Sequence, residues 1–343
     1  MISKIIDPER AVADIFNSTI AAAAIGAAWE VGLLDEVREQ NEVNVNQFAI
    51  QHNLDHASVQ GLVAALVTVD VIERNGDAVT SGPLLDEAYR TKSMFHWLAL
   101  GSGGLFSRMQ YMLHNENRKG VFYSRDSTAI AYACRDINRH HFDPVFWRLM
   151  EQLGYKFHSV VDLGCGSGER LMQILRRYPN TRGIGIDIAE PALKVATVEA
   201  IERGLGDRLS FMKGDARNMD YCDEFAQVDL LTCFMMGHDF WPRENCIATL
   251  QMLRKAFPKV HRFLLGDTTR ILLDGPRSEH AVTEANIPVF TLGFEFGHAL
   301  MGVYLPTIEE WQDVFAESGW RCVSRNLIKS PSLSVIFELE HDH

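Results

Sequence analysis

Ser159-Val160-Val161-Asp162-Leu163-Gly164-Cys165-Gly166-Ser167-Gly168-Glu169-Arg170 reads as a buried strand, a tight turn and the start of a helix. The β-branched run suits a strand covered on both faces. Glycines at alternate positions let the chain bend sharply and let its backbone approach a ligand with no Cβ in the way. Residues 171–178 follow as an amphipathic helix. A dinucleotide fingerprint places its glycines as G-x-G-x-x-G; here the third glycine comes one residue early. The next apolar run, 183–186, ends on Asp187, nineteen residues past Gly168. A carboxylate there can accept hydrogen bonds from both hydroxyls of a ribose.

The D-x-G-x-G-x-G pattern of residues 162–168, with Asp187, resembles motif I and the acidic second-strand end of class I S-adenosylmethionine (SAM) dependent methyltransferases. The resemblance implies a Rossmann-like α/β domain with SAM as methyl donor. Asp162, Gly164, Gly166 and Gly168 then belong to the methionine side and Asp187 to the ribose. Ligands of such sheets bind beyond the carboxyl ends of the strands. That rule draws in Gly214-Asp215-Ala216 and the segment 233–241. By the resemblance, Asp215 and Ala216 lie at the adenine, and Phe234 joins the same donor pocket.

The 343 residues, 47% of them hydrophobic, suffice for two domains with their own cores. A formal charge of −12 argues against a nucleic-acid surface, which concentrates Lys and Arg on one face. Six scattered cysteines with no C-x-x-C pair read as free thiols of a reducing, cytoplasmic compartment. No basic segment with a cleavage site opens the sequence. The apolar run 20–29 falls short of the roughly 20 residues of a spanning helix, so no membrane partner is expected.

Residues 1–100 read as a helical domain containing a winged-helix pattern. Residues 45–52 and 58–69 form helices, and a hairpin spans 71–80, where Asn75-Gly76 suits a type I′ turn. A DNA-binding role is rejected: from 42 to 85 one basic residue, Arg74, stands against five acidic ones. A recognition helix without cations cannot neutralise phosphates, which also disfavours a transcription factor with a vestigial SAM domain. The segment resembles the N-terminal domain of plant-type small-molecule O-methyltransferases, implying a homodimer through this domain. Residues 101–155 read as a helical linker following a glycine-rich break at 98–104; the resemblance makes it the roof of the pocket. Residues 156–343 alternate strand and helix, which gives a mostly parallel sheet covered on both faces. The last two apolar runs close it as an antiparallel hairpin.

Segment 233–241 resembles the His-Asp-Trp segment of the plant-type enzymes, whose histidine is the general base. This implies His238 as catalytic base, with Asp239 orienting it or facing substrate; imidazole titrates near neutral pH. The chain then departs from that family and lacks its glutamate-bearing Gly-Gly-Lys-Glu-Arg-Thr segment. It reads instead Thr291-Leu292-Gly293-Phe294-Glu295-Phe296-Gly297-His298-Ala299-Leu300. Glu295 and His298, three apart, share a helix face. With His238 they can offer two imidazoles and a carboxylate to a metal with open positions.

This combination resembles the α-keto acid C-methyltransferases of nonribosomal-peptide precursor pathways, above all the 2-ketoarginine (5-guanidino-2-oxopentanoate) methyltransferases of 3-methylarginine biosynthesis. The resemblance implies methylation at C3 of a 2-oxo acid, with zinc or iron as the candidate metal. A cation on the C1 carboxylate and C2 oxygen would stabilise the enolate. A guanidinium tail would seek Asp239, Glu295 and the faces of Phe240, Trp241 and Phe294. An aryl tail would seek Phe234, Met235 and Met236. The alternative is phenolic O-methylation, which needs His238 as base and no metal.

Overall fold

The apolar runs of the second half pair edge to edge because each is short, continuous and bounded by a turn. The computed structural model describes residues 7–272, 280, 282–331 and 334–341. It divides into two units, Met1–Cys134 and Arg135–His343, so the boundary falls inside the stretch read as a linker.

The larger unit holds seven strands: β1 (Ser159–Leu163), β2 (Arg182–Asp187), β3 (Leu209–Lys213), β4 (Leu230–Phe234), β5 (Arg262–Thr268), β6 (Trp320–Ile328) and β7 (Ser334–His341). Their order is β3-β2-β1-β4-β5-β7-β6. The first five run parallel, and β7 is antiparallel to both of its neighbours. This is the expected Rossmann-like α/β sheet with its closing hairpin. Val160, Val161, Leu163, Leu230, Leu231, Cys233, Phe263, Leu264 and Leu265 are all buried. Consecutive burial of this kind means that helices cover both faces. The chain leaves β1 toward β2 on one side and later returns to β4 on the other. The crevice beyond β1 and β4 is therefore the switch point where such sheets take ligands.

In the smaller unit, Glu42–Asn44, Ala78–Ser81 and Ile72–Asn75 form a three-stranded sheet with the second of these in the middle. Helices Val45–Gln51 and His56–Val67 lie between its strands in sequence. Asn44 and Asp55 cap them, accepting from the Gln47 and Ser58 N–H groups at 3.0 and 2.8 Å. Asn75 pairs with Ala78, so the hairpin loop is Gly76-Asp77. Only Gly76 has positive φ, +61°. That is the sign pattern of type II′ rather than the expected I′, because glycine takes the first central position.

The first helix is Pro8–Glu30, 23 residues, long and apolar enough by length and composition to cross a bilayer. The apolar run 20–29 is only its second half, so the length judged too short to span belongs to part of one helix that starts at Pro8. Ala21, Ala24, Ile25, Ala28 and Trp29 of its second half are buried in the unit's core. Val12, Ile15, Phe16 and Ile20 of the first half are exposed. The expected break at 98–104 is instead occupied by a π-helical turn, Trp97–Gly101, with both ends buried. It packs closely: a Cβ on Gly101 would lie 2.6 Å from Ile130 Cδ1.

Candidate active site

Gly164, Gly166 and Gly168 stand at φ +70°, +51° and +72°. The Gly164 and Cys165 N–H groups donate to the Ile186 carbonyl at 2.8 and 3.1 Å, which binds the turn to the end of β2. A Cβ on Gly168 would lie 2.6 Å from the Phe211 ring, whereas nothing lies within 4 Å of the equivalent point on Gly166. The turn is packed behind and open in front, a cradle that fits a ligand approaching the backbone.

Asp187 lies at the rim of that cradle. Its Oδ2 accepts from the Gly166 N–H and its Oδ1 from the Ala189 N–H, each at 2.8 Å. Each oxygen keeps a further acceptor site, so a sugar diol can still be bound. The Gly214 N–H donates to the Asp187 carbonyl at 3.1 Å and brings the loop after β3 alongside. In that loop Ala216 is buried, and Arg217 forks Asp215 at 2.9 and 2.8 Å. The Arg217 hydrogen bond holds the Asp215 carboxyl below its ordinary range. Asp162 is buried in β1, and its Oδ1 accepts from the Thr232 hydroxyl at 2.6 Å. Burial pushes its carboxyl up to about 6 against the pull of Arg170.

The loop after β4 abuts the same turn: a Cβ on Gly164 would meet Met236 Cε at 2.9 Å. Met235, at φ +56°, donates its N–H to the Gly266 carbonyl at 2.8 Å. His238 follows, 6% exposed. Its backbone N–H donates to Asp267 Oδ2 at 2.7 Å, and its Nδ1 lies 2.8 Å from Asp267 Oδ1. A carboxylate only accepts, so Nδ1 carries the proton and Nε2 presents the lone pair of a base. The orienting carboxylate is therefore Asp267; Asp239 is exposed.

His298, in helix Thr291–Met301, stands edge-on to His238 with ring centroids 4.9 Å apart. Its Nδ1 donates to the Phe294 carbonyl at 2.7 Å. Phe294 meets His238 at 5.9 Å and Phe290 at 5.1 Å. Glu295 gives its buried carboxylate to the Ile271 N–H at 2.5 Å and the Leu272 N–H at 3.0 Å. The two imidazoles come together, but Glu295 serves the backbone. Among the described residues no three His, Cys, Asp or Glu side chains are arranged to hold a metal. The expected His238, His298 and Glu295 set does not come together as a metal site among the described residues; the Glu295 carboxylate accepts instead from the Ile271 and Leu272 N–H groups.

Asp267 was the residue passed over in the sequence. Its signal is an acid at the end of an apolar run, as with Asp187, hidden because Gly266 interrupts that run after Leu265.

A family model described as a methyltransferase domain matches residues 160–258. Methyltransferase ungE' of Aspergillus campestris is 64% identical over 98% of each chain. Indolepyruvate C-methyltransferase of Streptomyces griseus is 27% identical, over 92% of this chain and 90% of its own. Weaker relatives at 24–28% identity include both O-methyltransferases and a 2-ketoarginine methyltransferase of Streptomyces arginensis. Among solved structures, human N-acetylserotonin methyltransferase in complex with SAM aligns over all of both chains, with TM-score 0.64 and 16% identity.

Proposed function

We propose C3-methylation of a 2-oxo acid as the reaction of this chain, which belongs to the class I SAM-dependent methyltransferases with plant-type O-methyltransferase-like architecture. The observation that carries the proposal is the buried His238–Asp267 pair, on a loop abutting the glycine turn and beside a second imidazole. SAM, when bound, supplies an electrophilic methyl group on a sulfonium. Asp162, Gly164, Gly166 and Gly168 hold its methionine part, Asp187 its ribose, and Asp215, Ala216 and Phe234 line the rest. His238 Nε2 removes the C3 proton, and Asp267 stabilises the imidazolium that forms. C3 of the resulting enolate is the nucleophile, and holding it in line lowers the barrier by orientation. Zinc or iron would find two anchored imidazoles here without the third ligand named above, so no step of the proposal runs through a metal.

Support for a 2-oxo acid comes from the motif departure at 291–300 and from the S. griseus relative. On the substrate tail, the two acids proposed to meet a guanidinium are exposed (Asp239) or bonded to backbone (Glu295), while the Phe294 face would suit a guanidinium or an aryl tail. Phe294 stands beside His238, and Phe290 packs on Phe294. With neither acid turned to a substrate tail, and by likeness to the S. griseus relative, the reading favours an aromatic or apolar 2-oxo acid over 5-guanidino-2-oxopentanoate. A second reading, phenolic O-methylation, draws on the same dyad, since a phenol needs a base and no Glu295. Labelled SAM with panels of 2-oxo acids and phenols, followed by mass spectrometry, tests this. A carbon-bound methyl beside the ketone supports the proposal, and methyl ethers as the sole products overturn it.

A homodimer is proposed through the exposed apolar stripe Val12, Ile15, Phe16 and Ile20. Light scattering should give twice the chain mass, and Phe16→Glu should halve it.

A further inference from the structure

We infer that Arg170 is a positioning residue that pins residues 138–146 to the glycine turn and so shapes the donor pocket at Phe234. This rests on reading that turn as the SAM site. Arg170 is the second residue of helix Glu169–Arg177, directly after Gly168. Its side chain is 9% exposed. Nη1 donates to Asp143 Oδ1 at 2.9 Å and Nη2 to Asn138 Oδ1 at 3.0 Å. Those two acceptors bracket one π-helical turn, Asn138–Phe142. The guanidinium also lies over aromatic rings, 3.7 Å from the Phe234 centroid and 4.6 Å from that of Phe146. Phe142 and Phe146 meet Phe234 edge-on at 5.9 and 5.4 Å. One side chain thus joins the turn, the π-helical turn and the strand end that precedes His238.

The chemistry of arginine explains the choice. Its planar fork reaches two acceptors at a fixed spacing while its face rests on a ring, and an ammonium cannot do both. A π-helical turn is an uncommon backbone state and often marks a functional site. Held at both ends, it keeps Phe142 and Phe146 turned toward Phe234. Released, it can rewind into the α-helices on either side and carry those rings away. Loss of the fork also leaves the Asp143 carboxylate without its partner in a place where burial already pushes that carboxyl up. Arg170 makes no contact with His238 or Asp267 in this arrangement, so its effect passes through the pocket wall.

Arg170→Lys and Arg170→Gln, compared with the full-length wild type, test the inference. SAM affinity is measured by calorimetry, amide exchange by mass spectrometry, and KM and kcat by initial rates. Loss of a charge-assisted fork predicts SAM binding weaker by about tenfold in both variants. Amide exchange should quicken over 138–146 and not across β1 to β5, and KM for SAM should rise more than kcat falls. Asn138→Ala, which leaves the Arg170–Asp143 pair in place, guards against misfolding. It should quicken exchange over 138–142 and weaken SAM binding by about threefold, the scale of a single hydrogen bond. Wild-type affinity and exchange in Arg170→Lys would overturn the inference, because a point charge would then suffice. Failure of the wild type itself to bind SAM would instead sink the reading of the turn.

Discussion

His238 and Asp267 are joined twice, once through the imidazole Nδ1 and once through the His238 backbone N–H, each to a different oxygen of one fully buried carboxylate. The carboxylate thus sets both where the ring stands and which nitrogen carries the proton. Asp267→Asn keeps the shape but can stabilise the wrong tautomer and cannot offset an imidazolium. Turnover should fall by about a hundredfold or more, as orienting carboxylates generally show, with SAM affinity unchanged in calorimetry. His238→Ala should abolish turnover while SAM still binds; collapse of SAM affinity would mean that the residue is misplaced.

Asp187 ties the glycine turn to the loop after β2 and keeps acceptor capacity at both oxygens. Asp187→Ala should weaken SAM binding by at least about tenfold, the value of one good paired contact. Unaltered affinity in a titration would contradict its assignment to the ribose.

Asp162 supplies a stability signal whose sign can be worked out. Its carboxyl is pushed up to about 6 from an ordinary value of 3.8. Between about pH 4 and pH 6 the folded chain holds a proton there that the unfolded chain has released. Stability from this group is therefore highest below that window and falls as pH rises through it, by about 3 kcal/mol in all. Asp162→Asn keeps an acceptor for Thr232 and carries no charge. In urea titrations from pH 4.5 to 7, the variant should gain on the wild type as pH rises; a constant difference would count against the buried charge.

Gly266 allows a close approach: a Cβ there would fall 2.3 Å from the Phe234 ring. Gly266→Ala should cost about 1–3 kcal/mol by overpacking, read from denaturant midpoints. Adding Phe234→Ala should recover part of that loss, and strict additivity of the two changes would refute the contact as its cause.

His298 is the departure from the phenol-methylating pattern. His298→Ala should lower turnover on 2-oxo acids by about tenfold or more, the low end of what a positioned imidazole contributes, with SAM binding retained. Equal turnover would favour the reading in which His238 and Asp267 act alone.

The sheet was legible because its strands are short apolar runs bounded by turn residues, a pattern that 160–163 and 183–186 display plainly. His238 was legible through the resemblance of 233–241 to the His-Asp-Trp segment, just past an apolar run, and the structure places it in the loop after β4. Asp267 was missed because Gly266 has no side chain to continue the hydrophobic run, although the backbone stays extended through Thr268. Glu295 shows the limit of helical spacing. A three-residue interval places two side chains on one face, but it says nothing of which donors that face meets. Here the donors are main-chain N–H groups of 271 and 272, and a backbone group leaves no trace in the sequence. The hairpin at 75–78 was misread by one position for a similar reason: Asn-Gly marks a turn without fixing where the loop begins.

Asp267 lies opposite Val335, and β7 separates its strand from the sheet's rim. A chain stopped before Ser334 would still contain every residue assigned to the donor. Yet β5 would be left with one flank unpaired, and the carboxylate that steers the base would sit on an open edge. The acceptor half of the chemistry is thus completed last as the polypeptide emerges, so a nascent or late-truncated product could hold the donor well before it could use it.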